Sequence, residues 1–389
     1  MFKRIGLTRN LSIISATIFT NLFARYTWYA LLPLHLRSLG ANELEVGAVF
    51  TTFMFARNLL GIVGGALGDR FGRRTMIALS TFAMGPFFVL AAFATDWRLF
   101  AAMLTCGEVC SVFQAPPMNA LIMESTEDNR IARAFSFTEA AVLFGLVIGP
   151  LAGAGLISAF NIKALIIFNG IILMLTGIVR GIGLRDTTTH RMAQTSWKVR
   201  AAIDANVRWY IALSILMVAS FGIVFGPFFA ILARDTWHNN DSEINLLWAI
   251  GSFASFLGIF IGRLSDHWGG KRIFVMSAIG YGLMTMAWGL APTWEWGVVP
   301  LVLAFLFGEA MFMAQQTIQA AITSPESRSS VIGVIITVSG VIGALGPTLG
   351  AQLAQVGGNS ITFIGAGIAG LLMIATIIPI RVSKQTPGS

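Results

Sequence analysis

A polar sequence between two long apolar segments recurs in a weaker form about 200 residues later. The first copy occupies residues 64–74 and joins a glycine-rich segment to a cluster of arginines, and the second occupies residues 262–272. Three pairs of short motifs follow the same order with offsets of 197, 201 and 197 residues: Gly68–Asp69 with Ser265–Asp266, Gly107–Glu108 with Gly308–Glu309, and Gly149–Pro150 with Gly346–Pro347. Ordered matches at a nearly constant spacing indicate an internal repeat, and duplicated membrane folds are common among transporters.

The apolar content of the chain indicates a polytopic membrane protein. Hydrophobic residues make up 56% and charged residues only 11% of the sequence, whereas soluble domains carry about 25% charged residues. A spanning helix needs about 20 mostly apolar residues. On that length the sequence predicts twelve spans, at 11–35, 44–66, 75–95, 98–123, 134–159, 162–183, 208–233, 244–264, 272–291, 297–322, 329–354 and 359–380.

The basic residues predict the orientation of these spans. With the N-terminus inside, 20 Lys and Arg residues, Arg180 among them, fall on inner loops and tails, against 4 on outer loops. Both termini are therefore expected in the cytoplasm of a multi-pass cell-membrane protein. The division predicted is an N-terminal six-helix bundle at 1–184, a cytoplasmic linker at 185–207 and a C-terminal six-helix bundle at 208–389. The net charge of +8 reflects this asymmetry, and no nucleic-acid partner is expected.

On these residues the chain resembles the major facilitator superfamily, and its drug/proton antiporter-like members in particular. Residues 64–74 are similar to that family's loop motif between helices two and three. Residues 145–153 are similar to the glycine-proline motif associated with proton-linked antiporters. The family's helix-four arginine is absent from residues 104–110, so its proton-relay role is not carried over. The resemblance implies an all-α fold of twelve transmembrane helices in two pseudo-symmetric six-helix bundles and secondary transport by alternating access.

The two motifs and their repeats supply the predicted gating residues. Small residues let helices approach closely, and the acidic side chain after them can accept hydrogen bonds at a helix N-terminus. We interpret the loop motif at residues 64–74 as an inner latch that favours the outward-facing state. The alternative is that the motif only determines topology. The gating and motif residues predicted are Gly65, Gly68, Asp69, Arg70, Gly72, Arg73, Arg74, Gly145, Gly149, Pro150, Asp266, Gly346 and Pro347.

Five ionisable residues fall inside the predicted spans: Arg25, Arg57, Glu108, Glu139 and Glu309. A charge in the hydrocarbon core costs about 2.5–3.5 kcal/mol on insertion scales, so such residues face a cavity or a partner. Proton coupling is predicted for Glu309, Glu108 and Glu139, because a desolvated carboxylate loads and releases protons near neutral pH. Glu309 is the preferred residue of the three. Substrate binding is predicted for Asn21, Arg25, Tyr29, Arg57, Gln316 and Gln319.

Two alternatives stay open for these charges. Glu108 either couples protons or forms a structural salt bridge with Arg25 or Arg57. The two arginines either bind an anionic substrate, since guanidinium matches carboxylate and phosphate bidentately, or only compensate the glutamates.

The function predicted is export of small amphipathic compounds in exchange for protons. A proton-coupled organic-anion transporter using Arg25 and Arg57 is the alternative, and a transport-inactive membrane sensor or scaffold is the alternative of another class. The sequence has no phosphate-binding loop, which excludes an ATP-driven pump, and no nucleophile and base pair in a span that would indicate an enzyme. No cofactor or metal site is expected. The partners expected are a small-molecule substrate, protons and the lipid bilayer, with the protein as a monomer.

Overall fold

The computed structural model describes residues 8–127, 130–186, 203–323 and 328–381, with only the backbone described for 60–70, 132, 262–263, 265–266 and 328–330. This part of the chain is helical throughout, and its elements are α1 (Arg9–Tyr26), a 3-10 turn (Tyr29–Leu31), α2 (Leu32–Ser38), α3 (Glu43–Phe71), α4 (Arg73–Ala92), α5 (Trp97–Val112), α6 (Ala115–Glu124), α7 (Ile131–Ala159), α8 (Ile162–Gly183), α9 (Ala205–Val224), α10 (Phe228–Asp235), α11 (Asp241–Arg263), α12 (Ser265–Trp268), α13 (Gly270–Leu290), α14 (Trp294–Ile322), α15 (Arg328–Gly343) and α16 (Gly346–Ile377).

Nine segments among the described residues are long and apolar enough to cross a membrane. The last of them, Val331–Ile377, is 47 residues long and covers both predicted spans 329–354 and 359–380. Its backbone leaves helical geometry at Gly357 and Gly358, where φ is 75° at the second glycine. The predicted spans 11–35 and 44–66 are not among the nine. The all-helical membrane architecture is therefore confirmed, while the number twelve stays a prediction.

Large apolar side chains cover the outside of the helices. Ile182 is 74% exposed and Val356 is 82% exposed, as side chains facing lipid would be, because a soluble monomer rarely exposes large contiguous apolar patches. The sequence also predicts that Trp97, Trp237, Trp294 and Trp296 lie in an interfacial belt. Trp237 is instead buried, and its indole N–H donates to Ala291 O at 2.9 Å.

Four of the predicted spans are interrupted: 208–233 at residues 225–227, 329–354 at residues 344–345, and two spans of the N-terminal half. The span predicted at 98–123 consists of α5 and α6, separated by Phe113 and Gln114. Pro116 and Pro117 lie in the first turn of α6, where their missing N–H groups cost no helical hydrogen bond. The first span is interrupted likewise, because α1 ends at Tyr26 and a 3-10 turn precedes α2. The two interruptions in the N-terminal half lie beside the cavity described below.

The described residues form two compact units. In the first unit, α1 packs against α7 and α8, and α4 packs against α5 and α8. In the second unit, α9 packs against α15 and α16, and α13 packs against α14 and α16. In the sequence repeat, α1 corresponds to α9 and α7 corresponds to α15. The pairing of α1 with α7 is therefore equivalent to the pairing of α9 with α15.

The loop motif and its copy share one backbone geometry. Gly72 precedes α4 with φ 86° and ψ 137°, and Gly269, which lies 197 residues later, precedes α13 with φ 87° and ψ 132°. A positive φ of this kind is open to glycine and strained for other residues. The two turns therefore support the internal repeat by their shape as well as by their sequence.

The units differ from the predicted division of the chain at two short segments. Residues 240–249 belong to the first unit, where Asn245 Nδ2 donates to Thr27 O at 3.1 Å. Residues 43–54 belong to the second unit, where the hydroxyls of Thr51 and Thr348 lie 2.8 Å apart. These segments are the first turns of α11 and α3, which are equivalent helices in the repeat.

Candidate substrate cavity

A stripe of glycines on α7 brings this helix close to α1. A methyl group at Gly145 would lie 2.7 Å from Leu22 Cβ, and one at Gly149 would lie 2.8 Å from Tyr26 Cβ. Real Cβ atoms do not approach so closely, so only glycine permits this spacing. The glycine-proline motif of the sequence thus fixes the position of α1, the helix that carries Arg25.

A cavity of about 490 Å³ lies inside the first unit. Pockets for drug-sized ligands measure about 300–1,000 Å³ and are mostly apolar with a few convergent polar groups. Apolar side chains from α1, α4 and α8, among them Leu22, Phe88 and Leu173, form much of its wall. The charged residues on the wall are Arg25, Arg57, Glu108 and Arg180. The cavity therefore combines an apolar surface with three arginines and one carboxylate.

Arg25 and Glu108 form an ion pair on this wall. Arg25 Nη2 lies 2.7 Å from Glu108 Oε1, and the two side chains are 22% and 9% exposed. The guanidinium carbon of Arg25 also lies 4.8 Å from the centre of the Tyr29 ring, a cation–π distance. Of the two partners predicted for Glu108, the structure selects Arg25. Protonation of Glu108 would remove the negative charge that holds this guanidinium.

Arg180 is a buried cation that the sequence analysis counted with the inner loops. It lies in the last turn of α8 with 1% of its surface exposed, so that assignment is wrong. Its Nε donates to Thr17 Oγ1 at 2.8 Å, and its Nη1 donates to Thr81 Oγ1 and to Gln114 Oε1, both at 2.6 Å. The signal was present in the sequence, because Asn169, Leu173, Thr176 and Arg180 follow helical spacing on one face.

Asn169 is a second cavity residue that the sequence analysis missed. It is 1% exposed, and neither its Nδ2 nor its Oδ1 has a hydrogen-bond partner among the described residues. The predicted residue Asn21 also lines the cavity and accepts a hydrogen bond from Thr176 Oγ1 at 2.7 Å. Polar groups from α1 and α8 therefore face the same space.

The remaining predicted coupling and binding residues are not among those that line this cavity. Glu139 is exposed on α7. Glu309 is half-buried on α14 and packs where α11 comes close, since a methyl group at Gly258 would lie 2.9 Å from Glu309 Cβ. On the same helix, Gln316 is exposed and Gln319 is half-buried. The structure thus brings together Asn21, Arg25, Arg57 and Glu108 of the predicted set, with Tyr29 beneath Arg25.

The basic end of the loop motif binds the ends of neighbouring helices. Arg73 forms an ion pair with Glu124 at the end of α6. The Arg74 backbone N–H donates to Asp186 Oδ1 at 2.9 Å, and its Nε donates to Gly181 O at 2.6 Å. The predicted side-chain roles of Gly65, Gly68, Asp69, Arg70 and Asp266 lie outside the described side chains.

The second glycine-proline motif packs as the first does, but with a break in the helix. Gly346 lies against the backbone of Ala219 on α9, and Pro347 occupies the first turn of α16. In the first copy, Pro150 lies inside the continuous helix α7. Across the part of the chain that the structure describes, no group of three or more His, Cys, Asp or Glu residues could hold a metal ion.

Comparison with known proteins decides the family. The family model described as Major Facilitator Superfamily matches residues 14–232 and 210–388. The chain belongs to the Major Facilitator Superfamily. It is accordingly a multi-pass membrane protein and a secondary transporter rather than an enzyme, as the loop and glycine-proline motifs predict.

The relatives of this superfamily member include proteins named for multidrug resistance. The chain is 25% identical over 360 residues to multidrug resistance protein MdtH of Photorhabdus laumondii, covering 87% of this chain and 86% of the relative. It is 24% identical over 344 residues to multidrug resistance protein MdtG of Escherichia fergusonii, covering 83% and 82%. An uncharacterized MFS-type transporter of Methanocaldococcus jannaschii is 26% identical over 180 residues, and this match spans only 46% of the chain and 47% of the relative.

Solved structures share the fold at low sequence identity. The nucleoside transporter NupG superposes with a TM-score of 0.79 at 14% identity, covering 94% of this chain and 99% of NupG. A bacterial homolog of the human lysosomal transporter Spinster superposes with a TM-score of 0.72 at 18% identity, covering 95% and 94%. At these identities the likeness establishes the fold alone.

Proposed function

We propose that this transporter exports small amphipathic compounds in exchange for protons by alternating access. The observation that carries the proposal is the cavity of the first unit, which joins an apolar wall to the Arg25–Glu108 pair. Such a wall suits compounds with apolar bodies and a polar group. The names of the MdtH and MdtG relatives point in the same direction. The twelve-span topology with both termini in the cytoplasm belongs to this proposal.

Glu108 is the coupling carboxylate that this geometry favours. It is buried, it faces the cavity, and its charge holds Arg25, so that its protonation would change the charge of the wall that a substrate meets. The sequence favours Glu309 for this role, and it remains a candidate in the second unit. Glu139 is a weaker candidate for a cavity-side role, because its side chain is exposed on α7.

The proposal is tested by dye accumulation in bacterial cells that lack their own drug pumps. Cells that express the protein should accumulate less ethidium than cells with an empty vector, and a protonophore should remove the difference. Glu108→Gln should raise accumulation to the empty-vector level, because the glutamine cannot load a proton. Glu295→Gln is the matched control, since this carboxylate is exposed in the first turn of α14.

The same assay separates the two coupling candidates. Loss of efflux in Glu309→Gln with retention in Glu108→Gln would move the coupling role to the second unit. Ethidium efflux that persists in the presence of the protonophore would contradict proton exchange altogether.

Organic-anion transport is the second candidate, and the charge of the cavity favours it. Three arginines and one glutamate line the wall, so an excess of positive charge remains after Arg25 pairs with Glu108. This alternative differs from the one drawn from sequence, because Arg25 is already engaged. Arg57 and Arg180 hold the remaining charge.

A further inference from the structure

Arg180 carries a charge that the first unit does not neutralise. Its hydrogen-bond acceptors are the hydroxyls of Thr17 and Thr81 and the amide oxygen of Gln114, all of them neutral. No carboxylate among the described residues lies within ion-pair distance of it. A buried arginine is normally paired with an acidic group, because removing a charge from water is costly. The excess positive charge therefore stays available to an anion in the cavity.

The geometry leaves part of the guanidinium unused. Nε and Nη1 make three hydrogen bonds, whereas Nη2 has no acceptor among the described residues. Guanidinium offers five N–H donors in a rigid fork that suits carboxylate, sulfonate and phosphate groups. The three neutral acceptors hold the fork in one orientation without cancelling its charge.

The place of Arg180 in the cavity also fits a ligand site. Gln114 lies at the break between α5 and α6, and interrupted helices are where membrane transporters build their binding sites. Thr17 lies eight residues before Arg25 on the same helix, which is roughly 12 Å along the axis. Arg180 and the Arg25–Glu108 pair thus stand at two levels of one cavity. The unpartnered amide of Asn169, on the same face of α8, is a second polar group facing this space.

We propose that Arg180, held by Thr17, Thr81 and Gln114, binds the anionic group of the substrate, so that amphipathic anions are substrates of this transporter. The inference rests on the proposed function, because it assigns a ligand to the same cavity. The apolar body of the anion lies along the wall formed by Leu22, Phe88 and Leu173. Arg25 takes no part in this subsite, because Glu108 already neutralises it.

Two dyes that differ by one sulfonate test the subsite. The probes are 8-anilinonaphthalene-1-sulfonate, an anion, and N-phenyl-1-naphthylamine, its neutral counterpart. Binding is measured on the purified protein in lipid nanodiscs by energy transfer from tryptophan to the bound dye, with empty nanodiscs as the blank. Arg180→Gln should weaken binding of the sulfonate dye by about tenfold or more and leave the neutral dye within about twofold, because only the charged partner loses a charge-assisted hydrogen bond. Arg180→Lys should fall between wild type and Arg180→Gln, since it keeps the charge and loses the fork.

A second variant keeps the test decisive if Arg180→Gln does not fold. Gln114→Glu has nearly the same shape and places a carboxylate against Nη1, so it should neutralise the guanidinium and lower affinity for the sulfonate dye only. Arg208→Gln is the control for loss of one positive charge, because Arg208 is exposed at the start of α9 in the second unit.

Three outcomes would overturn the subsite. The first is equal weakening of the binding of both dyes in Arg180→Gln, which is the behaviour of a structural cross-link. The second is unchanged affinity for the sulfonate dye in Gln114→Glu. The third is absence of sulfonate-dye binding to the wild type. The proposed function fails separately, since ethidium efflux against protons can persist when the anion subsite is wrong.

Discussion

The Arg25–Glu108 pair should contribute a measurable coupling energy to stability. Two unit charges about 4 Å apart interact by about 1 kcal/mol in water and by about 4 kcal/mol at an effective dielectric constant of about 20. The exposures of 22% for Arg25 and 9% for Glu108 place the pair nearer the second limit. We therefore expect a coupling energy of about 2–4 kcal/mol.

A double-mutant cycle measures this quantity. The four proteins are the wild type, Arg25→Gln, Glu108→Gln and the double variant, each titrated reversibly with a denaturing detergent in mixed micelles. Each single variant should be destabilised, because it leaves one buried charge without its partner. The double variant should be more stable than the sum of the single losses implies. A coupling energy below about 0.5 kcal/mol, the usual limit of additivity, would refute the ion pair as a structural and functional unit.

Two further predictions concern the glycines that shape the first unit. Gly149→Ala should lower the free energy of unfolding by about 1–3 kcal/mol through overpacking against Tyr26 and Phe23. Gly155→Ala on the same helix is the control and should be neutral or stabilising, because nothing lies within 4 Å of the added methyl group. Equal losses of stability in the two variants would contradict the close packing of α7 on α1. Gly72→Ala should cost about 1–3 kcal/mol because of the strained φ, with Gly333→Ala as an unstrained control in thermal unfolding. An unchanged melting temperature for Gly72→Ala would show that the turn relaxes.

Several features of the fold could be predicted from the sequence, because they repeat. The offset of 197 residues between the loop motifs reappears as the matching turns at Gly72 and Gly269. The glycine spacing on α7 indicates close helix packing, and the structure places α1 there. Intramembrane charge alone identified Arg25, Arg57 and Glu108 as residues that face a cavity or a partner, and all three line the same one.

Other features depend on tertiary context that a single sequence does not contain. Arg180 lies in the last turn of α8, and its helical spacing from Asn169 indicates only a shared face. Its three acceptors from α1, α4 and the α5–α6 break were needed to show that it is buried inside the bundle. Asn169 is uncharged, so a search for ionisable residues inside the predicted spans does not select it. The break at Phe113 and Gln114 was marked by Pro116 and Pro117, but two prolines are also compatible with a bent continuous span.

The most direct test of proton exchange is substrate-induced proton movement in liposomes that contain the purified protein. A pool of lipophilic cations and a pool of organic anions are added in turn, and the internal pH is followed for wild type and Glu108→Gln. The account predicts proton flux in the wild type with at least one pool and its loss in the variant. Substrate movement without proton flux in the wild type, or undiminished proton flux in Glu108→Gln, would contradict it.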